Sequence, residues 1–279
     1  MEEFQATKRR KPDPERKMTY WEHLEELRQR LLRAIFAVLI FAVVAFFFKG
    51  FIFNKLIFAP QSPDFLTNRL LCQLGHAIGS PRLCINSHPL ELINIELAGQ
   101  FRAHLLVSLM IGIAIAFPYL IWQLWLFVKP ALKYSEKISI RSVMWAASLL
   151  FTVGMVFGYY VIAPLAINFL SNYQISPDLA NRINFQSYLS VLLTLTFSSG
   201  LVFELPVLVY FLTKARLLSS AFLVQQRKLA IVLIFLVAAI LTPPDVFSQI
   251  LLAIPLLLLY ELSISIARRV EKKREVEIL

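Results

Sequence analysis

The 279-residue chain has the composition of a membrane protein. Hydrophobic residues make up 58% of it and charged residues 16%, whereas soluble domains average about 45–50% apolar and about 25% charged residues. A water-soluble core cannot bury this much apolar surface, and the composition also excludes disordered, collagen-like and disulfide-scaffold classes. The net charge of +10 comes from basic residues that lie between apolar runs, which indicates membrane topology rather than nucleic-acid binding.

Six apolar runs are candidates for membrane-spanning helices, because a spanning helix needs about 20 predominantly apolar residues. The runs cover residues 31–53, 104–128, 142–168, 187–213, 229–241 and 246–267. Glu204 and Pro206 interrupt the fourth run, and the fifth has only 13 residues. The predicted fold is an all-α polytopic membrane protein. Its six transmembrane helices lie within residues 19–267, between a polar basic tail at 1–18 and a charged tail at 268–279.

The positions of Lys and Arg predict the orientation of this bundle. The segments on one side of the six runs contain 22 Lys and Arg residues, and the loops on the other side contain five. Cytoplasmic loops carry the excess of positive charge, so both termini are predicted to be cytoplasmic. The first 30 residues are polar, and the apolar run that follows is too long for a signal peptide. We therefore expect a multi-pass protein of the bacterial plasma (inner) membrane.

The segment before the first run has the pattern of an amphipathic helix. Thr19 and Glu22 match the Thr-x-x-Glu capping box, which predicts a helix start near Tyr20. Apolar residues, among them Trp21 and Leu24, then follow at helical spacing. We expect this segment to lie along the cytoplasmic interface and then to bend into the first span.

The loop from Asn54 to Ala103 is the only long one on the predicted outer side. Ordered loops of this length usually carry secondary structure of their own, so we expect it to contain helix. Its two cysteines, Cys72 and Cys84, either form a disulfide or remain free thiols. The sequence contains no CxxC or HExxH motif and shows no cluster of His and Cys, so no metal site is predicted.

Two acidic residues are candidates for a site on the cytoplasmic side. Glu26 stands four residues before Arg30, so it either forms a simple ion pair on the helix surface or presents its carboxylate to a cationic ligand. Glu136 is the only acidic residue in a loop with four basic ones, where it either balances local charge or binds a ligand. Two carboxylates on one surface are able to form bidentate hydrogen bonds with arginine side chains.

Glu204 is the most unusual residue of the apolar runs. A carboxylate at this depth is costly unless it is protonated, paired or exposed to water, and Pro206 removes a backbone donor close to it. Glu204 is therefore either a functional intramembrane site or a member of a buried structural hydrogen bond. Asp245 follows Pro243 and Pro244 between the last two runs, where it is positioned to cap the sixth helix.

Two further patterns concern packing and membrane position. Trp122, Trp125 and Phe127 lie at the cytoplasmic end of the second run and predict an aromatic belt at the interface. Gly154 and Gly158 form a GxxxG pattern, which favours close approach of a neighbouring helix.

These features leave several functions open. An intramembrane protease needs a nucleophile or a metal pair, and no GxSG, GxGD or HExxH motif occurs. A secondary transporter usually has an internal repeat, and the six runs show none. A channel or transporter built around Glu204 and a receptor or translocation component that binds peptides at its cytoplasmic face both remain.

The run from His23 to Leu31, HLEELRQRL, resembles the HLxELRxRL start of the TatC family, the multi-spanning core of the twin-arginine protein translocase. Further stretches resemble this family in the same order along residues 19–267. They are FPY at 117–119, QLWLF at 123–127, PAL at 130–132 with Glu136 beyond it, FELP at 203–206 and LTPPDVFSQ at 241–249.

The resemblance implies a fold of six helices with concave packing, both termini in the cytoplasm, and the signal peptide of a folded protein as ligand. It places Glu26 and Glu136 at the acidic positions that bind the two arginines of that peptide, and Phe127 at an aromatic position in the same region. It places Glu204 inside the concave cavity.

The resemblance also assigns Pro60 of the first outer loop and Asp245 to translocase function. It implies recognition without catalysis, with transport driven by the proton-motive force and no cofactor. The implied partners are single-span subunits similar to TatA and TatB, other TatC copies and the lipid bilayer, with no nucleic acid. The stretch from Gln61 to Pro89, with both cysteines, is longer than the family's first outer loop.

Overall fold

The computed structural model of the chain describes residues 20–79, 84–85, 90–128, 140–176, 181–242 and 246–278. The described part is almost entirely helical. Its helices are α1 (Tyr20–Phe47), α2 (Lys49–Phe51), α3 (Leu66–Ala77), α4 (Gly99–Val128), α5 (Ile140–Phe157), α6 (Ala163–Asn172), α7 (Phe185–Val202), α8 (Leu205–Lys214), α9 (Ser220–Gln225), α10 (Arg227–Leu241) and α11 (Val246–Ile278). Two π-helical turns, Ile52–Ile57 and Gly158–Ile162, and one 3₁₀ turn, Ala59–Gln61, extend or join them.

Five segments of the described residues are long and apolar enough to cross a membrane. They are Trp21–Phe47, Gly99–Phe127, Ser142–Asn172, Phe185–Lys214 and Gln249–Lys273. They correspond to the first, second, third, fourth and sixth predicted runs. The fifth run is helix α10, whose 15 residues reach about 22 Å. This length is shorter than the hydrocarbon core of a bilayer, which is about 30 Å thick.

Helix α1 is described from Tyr20 onward. Thr19 lies outside the described residues, so the capping box stays a prediction. The predicted bend between an interfacial segment and the first span is wrong, because α1 continues without interruption to Phe47. Sharp kinks occur almost only at Pro, at Gly/Ser pairs or at π-bulges, and the sequence of α1 contains neither Pro nor Gly.

Helix α7 lies at the centre of the bundle. Its Leu189 and Leu192 are fully buried in one hydrophobic cluster with residues of α4, α6 and α11, among them Val107, Ala166 and Leu252. Helix α1, in contrast, packs mainly on α4 and leaves many of its large apolar side chains exposed. Such a surface is stable in lipid, where an aliphatic side chain loses nothing by facing outward.

The predicted GxxxG contact is confirmed between the third and fourth spans. A Cβ built on Gly154 would lie 2.7 Å from the Ser199 carbonyl oxygen, and one built on Gly158 would lie 2.8 Å from the Leu195 carbonyl oxygen. Both neighbours belong to the backbone of α7, so α5 and the turn after it approach α7 as closely as two backbones can. Only glycine allows this approach at the two positions.

The loop from Asn54 to Ala103, which is predicted to lie on the outer side, contains helix α3, as expected for its length. Strand β1 (Leu92–Ile93) of this loop pairs in parallel with strand β2 (Ile183–Asn184) of the next outer loop, with Leu92 opposite Ile183. Two-residue strands show no sequence period, so the sequence carries no signal for this pairing. The two outer loops are therefore joined into one cap.

A disulfide links Cys72 of α3 to Cys84. Of the two alternatives left open by the sequence, the structure has the bonded one. The prediction that His and Cys do not cluster is wrong, because the potential ligand atoms of Cys72, His76 and Cys84 all lie within 4.8 Å of one another.

Substitution of Gly158 by alanine tests the contact between α5 and α7. We expect Gly158→Ala to lower the free energy of unfolding by about 1–3 kcal/mol, because the added methyl group overpacks against a backbone carbonyl. Thermal unfolding of the detergent-solubilised protein measures the effect. Gly50→Ala is the matched control, since a Cβ at Gly50 meets no atom within 4 Å. Equal stabilities of the two variants would contradict the close contact.

Candidate functional site

The beginning of α1 and the end of α4 meet on the side that is predicted to be cytoplasmic. The ring of His23 stacks on the ring of Phe127, with centroids 4.4 Å apart and an angle of 19° between the planes. Glu26 lies three residues after His23 and so projects from the same face of α1. The structure thus brings two predicted site residues, Glu26 and Phe127, to one end of one helix pair.

The carboxylate of Glu26 is held by Arg30. The side chains of Glu26 and Arg30 are only 20% and 18% exposed, and Arg30 Nε donates a 3.0 Å hydrogen bond to Glu26 Oε1. Nη2 of Arg30 donates to the same oxygen. The ion pair predicted from the spacing is therefore confirmed, and it is more buried than a simple surface pair.

The second oxygen of Glu26 has no such partner. Oε2 is buried and accepts no hydrogen bond from any of the described residues. A buried acceptor without a donor costs about 1–3 kcal/mol, so this oxygen is a favourable place for an added donor. Glu25 provides a contrast. Its side chain is 54% exposed, and its Oε2 lies 3.5 Å from Arg28 Nη1 in an exposed ion pair.

Three other buried polar atoms without a partner in the described part of the chain lie at the same end of the bundle. They are Gln123 Oε1 and Trp125 Nε1 near the end of α4, and Thr213 Oγ1 near the end of α8. Trp125 is only 3% exposed and packs on Phe211, with ring centroids 5.0 Å apart. The predicted aromatic belt is therefore wrong for Trp125, which faces α8, whereas Trp122 is exposed as a belt residue would be.

Two predicted site residues, Glu136 and Asp245, lie outside the described residues. Their roles stay predictions. Along the sequence, Glu136 falls between Val128, the last described residue of α4, and Ile140, the first described residue of α5.

Glu204 lies at a break in the fourth span. Helix α7 ends at Val202 and α8 begins at Leu205, with Pro206 in the first turn of α8. The predicted interruption at Glu204 and Pro206 is thus confirmed. Side-chain atom Oε1 of Glu204 is buried and receives no hydrogen bond from the described residues, although its backbone carbonyl accepts bonds from Val207 and Leu208.

Pro60 belongs to the outer cap and not to the site around Glu26. It lies in the 3₁₀ turn that follows the π-helical turn after α2, and it is buried. Its carbonyl accepts a 3.1 Å hydrogen bond from Asn68 Nδ2 of α3, which also donates to the Ser62 carbonyl at 2.8 Å. The 28 residues of α1, about 42 Å of helix, separate this turn from the beginning of α1. The carbonyl of Pro60 thus connects this turn to α3.

Comparison with known proteins identifies the family. The sequence matches the family described as "Sec-independent protein translocase protein (TatC)" over residues 22–255. The chain belongs to the TatC family. It is 35% identical over 259 residues to the Sec-independent protein translocase protein TatC of Blattabacterium sp. subsp. Periplaneta americana, covering 92% of this chain and 97% of that one. It is 36% identical over 258 residues to TatC of Carboxydothermus hydrogenoformans, covering 92% and 95%.

Solved structures agree with this assignment. A crystal structure of the twin-arginine translocase receptor TatC is similar with a TM-score of 0.65 and 32% identity, covering 89% of this chain and 99% of that one. A second crystal structure of TatC, in DDM, has a TM-score of 0.68 and 33% identity, covering 88% and 99%. The resemblance to TatC is confirmed, and the chain is a membrane component of the twin-arginine translocase. Its relatives are named as protein translocase proteins.

Some features of this TatC chain had a sequence signal and others had none. The spacing of Cys72 and His76, four residues apart on a helix, was visible in the sequence. The buried amide of Gln123, the indole of Trp125 and the hydroxyl of Thr213 had no signal, because their burial depends on how α4 and α8 pack.

Substitution of Glu204 by leucine distinguishes an unpaired carboxylate from a structural hydrogen bond. We expect Glu204→Leu to keep the free energy of unfolding within about 1 kcal/mol of wild type, because it removes one buried oxygen without a donor and also the hydrogen bond that the Phe151 backbone makes with the same carboxyl group. Glu204→Gln, which keeps the shape and a polar group, should unfold near the wild-type temperature. Thermal unfolding in detergent measures both. A clear loss of stability in Glu204→Leu would show that the carboxylate holds the bundle together.

Proposed function

We propose that this TatC chain is the receptor that binds the twin-arginine signal peptides of folded proteins at the cytoplasmic face and nucleates the export complex. The observation that carries the proposal is the buried Oε2 of Glu26, which lacks a donor in the described part of the chain. An arginine guanidinium carries five N–H donors, so it is able to donate to Oε2 while Arg30 occupies the companion oxygen.

The proposed topology has six spans, concave packing and both termini in the cytoplasm. The charge difference between the two sides of the bundle supports it, since the predicted cytoplasmic segments hold 22 of the 28 Lys and Arg residues. In this arrangement α10 is the fifth span. Its 15 residues require the bilayer to thin around it or its outer end to lie below the surface, as hydrophobic mismatch demands.

Recognition of the first arginine rests on three side chains. Arg30 occupies Oε1 of Glu26, which fixes the carboxylate and leaves Oε2 for the donor of an incoming group. The stacked pair of His23 and Phe127 offers an aromatic surface on which a guanidinium plane is able to stack. Charge-assisted hydrogen bonds are about twice as strong as neutral ones. The bond from the peptide's guanidinium to the buried Oε2 of Glu26 is therefore the proposed source of affinity.

Glu136 is the proposed partner of the second arginine. It is the single acidic residue among the four basic residues of its loop. Those basic residues repel cationic peptides in general, so only a peptide that reaches the carboxylates gains energy. Pro60 and Asp245 are proposed to serve translocation rather than recognition.

Glu204 is the proposed polar site for the transport step, which the proton-motive force drives. An unpaired carboxylate oxygen at a helix break inside a span marks a place that water, a proton or a polar partner is able to reach. Single-span subunits similar to TatA and TatB, other TatC copies and the surrounding lipid are the proposed partners. No cofactor takes part in this scheme.

Peptide binding tests the role of Glu26. We expect Glu26→Ala to weaken binding of an Arg-Arg signal peptide by roughly 10- to 150-fold, which corresponds to about 1.5–3 kcal/mol for a charge-assisted hydrogen bond. Binding of the Lys-Lys peptide should fall less, because lysine has no planar fork. Glu136→Ala should behave like Glu26→Ala. Equilibrium binding to the detergent-solubilised protein at two salt concentrations measures these affinities.

Glu25→Ala is the matched control, because Glu25 neighbours Glu26 in sequence but lies in an exposed pair with Arg28. We expect it to leave the Arg-Arg affinity within about twofold of wild type, as exposed pairs contribute little. If Glu25→Ala weakens binding as much as Glu26→Ala, the face is a general electrostatic surface and the specific site is wrong. A channel or transporter built around Glu204 would distinguish neither peptide.

Export assays separate the role of Glu204 from recognition. We expect Glu204→Gln to reduce export of a folded cargo while Arg-Arg peptide binding stays at the wild-type level, because the substitution removes a titratable group far from Glu26. Export from inverted membrane vesicles and peptide binding are measured on the same preparation. Unchanged export would mean that the protonation of Glu204 plays no part in transport.

A further inference from the structure

We propose that Cys72, His76 and Cys84 form a binding site for a thiophilic divalent metal ion, of which Zn²⁺ is the type, when their disulfide is reduced. The three side chains belong to the outer loop. They lie apart from the site around Glu26, so the proposal is independent of peptide recognition.

The helix and the turn after it bring the three side chains together. Cys72 and His76 are four residues apart on α3, so they project from one face of the helix. Gly79 has a φ of +70°, a left-handed conformation that ends helices, and its N–H donates to the carbonyl of His76 at 3.4 Å. Beyond this turn, the Sγ atom of Cys84 lies 3.8 Å from the carbonyl oxygen of Cys72.

The distances to His76 agree with those of a metal centre. In tetrahedral coordination with Zn–S of about 2.3 Å and Zn–N of about 2.0–2.1 Å, neighbouring sulfur and nitrogen ligands are about 3.6 Å apart. His76 Nε2 lies 3.6 Å from Cys72 Sγ and 3.8 Å from Cys84 Sγ. Two of the three ligand separations are thus in place, and only the two sulfur atoms need to separate, to about 3.8 Å.

The chemistry requires a reductant, and a dithiol is the class that supplies it. The dithiol gives two electrons and two protons to the Cys72–Cys84 bond and is itself oxidised to a disulfide. The two thiols formed lose their protons to solvent when the metal binds, since thiolates are the ligands. Two thiolates balance the charge of a divalent ion, His76 supplies the third ligand, and water fills the fourth position.

The sequence repeats the spacing of this site, because His88 follows Cys84 as His76 follows Cys72. His88 lies outside the described residues, and the proposed site does not include it.

Asn68, on the preceding turn of α3, holds the helix to the Pro60 turn. A metal would therefore close the same loop as the disulfide does, between a fixed helix and Cys84.

Cobalt binding to the full chain tests the proposal. The protein, purified in detergent without a polyhistidine tag, is prepared in an oxidised form and in a form reduced by a phosphine, and Co²⁺ is added without oxygen. We expect the reduced form to bind one Co²⁺ per chain, with a thiolate-to-cobalt charge-transfer absorption that Zn²⁺ abolishes. The oxidised form should show no such absorption. It is a useful control because it has the wild-type sequence, so no substitution affects its folding.

Variants assign the ligands. Cys72→Ser should abolish the disulfide and most of the charge-transfer absorption. His76→Ala should weaken Co²⁺ binding by roughly tenfold or more and change the cobalt ligand-field spectrum, as loss of a ligand requires. Gln73→Ala, next to Cys72, is the control and should bind as wild type does. Absence of charge-transfer absorption in the reduced wild type, or equal binding by His76→Ala and Gln73→Ala, would overturn the proposal.

Discussion

The structure depends on the rule that a polar group inside an apolar bundle must find its partner within the protein. Lipid provides no hydrogen bonds, so an unsatisfied backbone group is costly there. The end of the first span shows how the rule is met. The π-helical turn after α2 disturbs the regular helical hydrogen bonds, and two tyrosine hydroxyls from neighbouring elements compensate. Tyr159 donates to the carbonyl of Leu56 at 2.7 Å, and Tyr188 donates to that of Ile57 at 2.6 Å. These bonds fix the direction in which the chain enters the outer cap.

Some buried polar side-chain atoms do not follow this rule, and they are informative about function. Among the described residues, the buried carboxylate oxygens without a donor belong to Glu26 and Glu204, two of the four acidic residues for which the sequence predicts a role. The fold provides tyrosine hydroxyls from distant elements for the carbonyls of Leu56 and Ile57. Donors for a buried carboxylate are therefore also within the reach of such a fold. The unpaired oxygens are therefore better explained by groups that arrive during function than by poor packing.

The sequence predicted most of the helices because their signal is strong. An apolar run of about 20 residues is typical of a spanning helix. The glycine spacing at 154 and 158 predicted the close approach of a neighbouring helix but not that this helix is α7. The failures have specific physical causes. The course of α1 through the interface depended on packing against α4 and on the absence of a helix breaker. The burial of Trp125 depended on Phe211 of a helix almost 90 residues away. The pairing of Leu92 with Ile183 was too short to leave a pattern.

The pairing of Glu26 with Arg30 explains how the proposed site achieves specificity. An isolated carboxylate would attract any cation, and a lysine-rich peptide would compete well with an arginine-rich one. Because Arg30 neutralises Glu26, the pair as a whole exerts little attraction at a distance. A ligand gains energy only at short range, where a donor meets Oε2 and a flat group stacks on His23 and Phe127. A guanidinium satisfies both conditions at once, whereas an ammonium is a strongly hydrated point charge that satisfies only the first. The spacing alone would assign the pair of Glu26 and Arg30 to the helix surface. In the proposed site, this pair makes binding depend on the shape of the ligand more than on its charge.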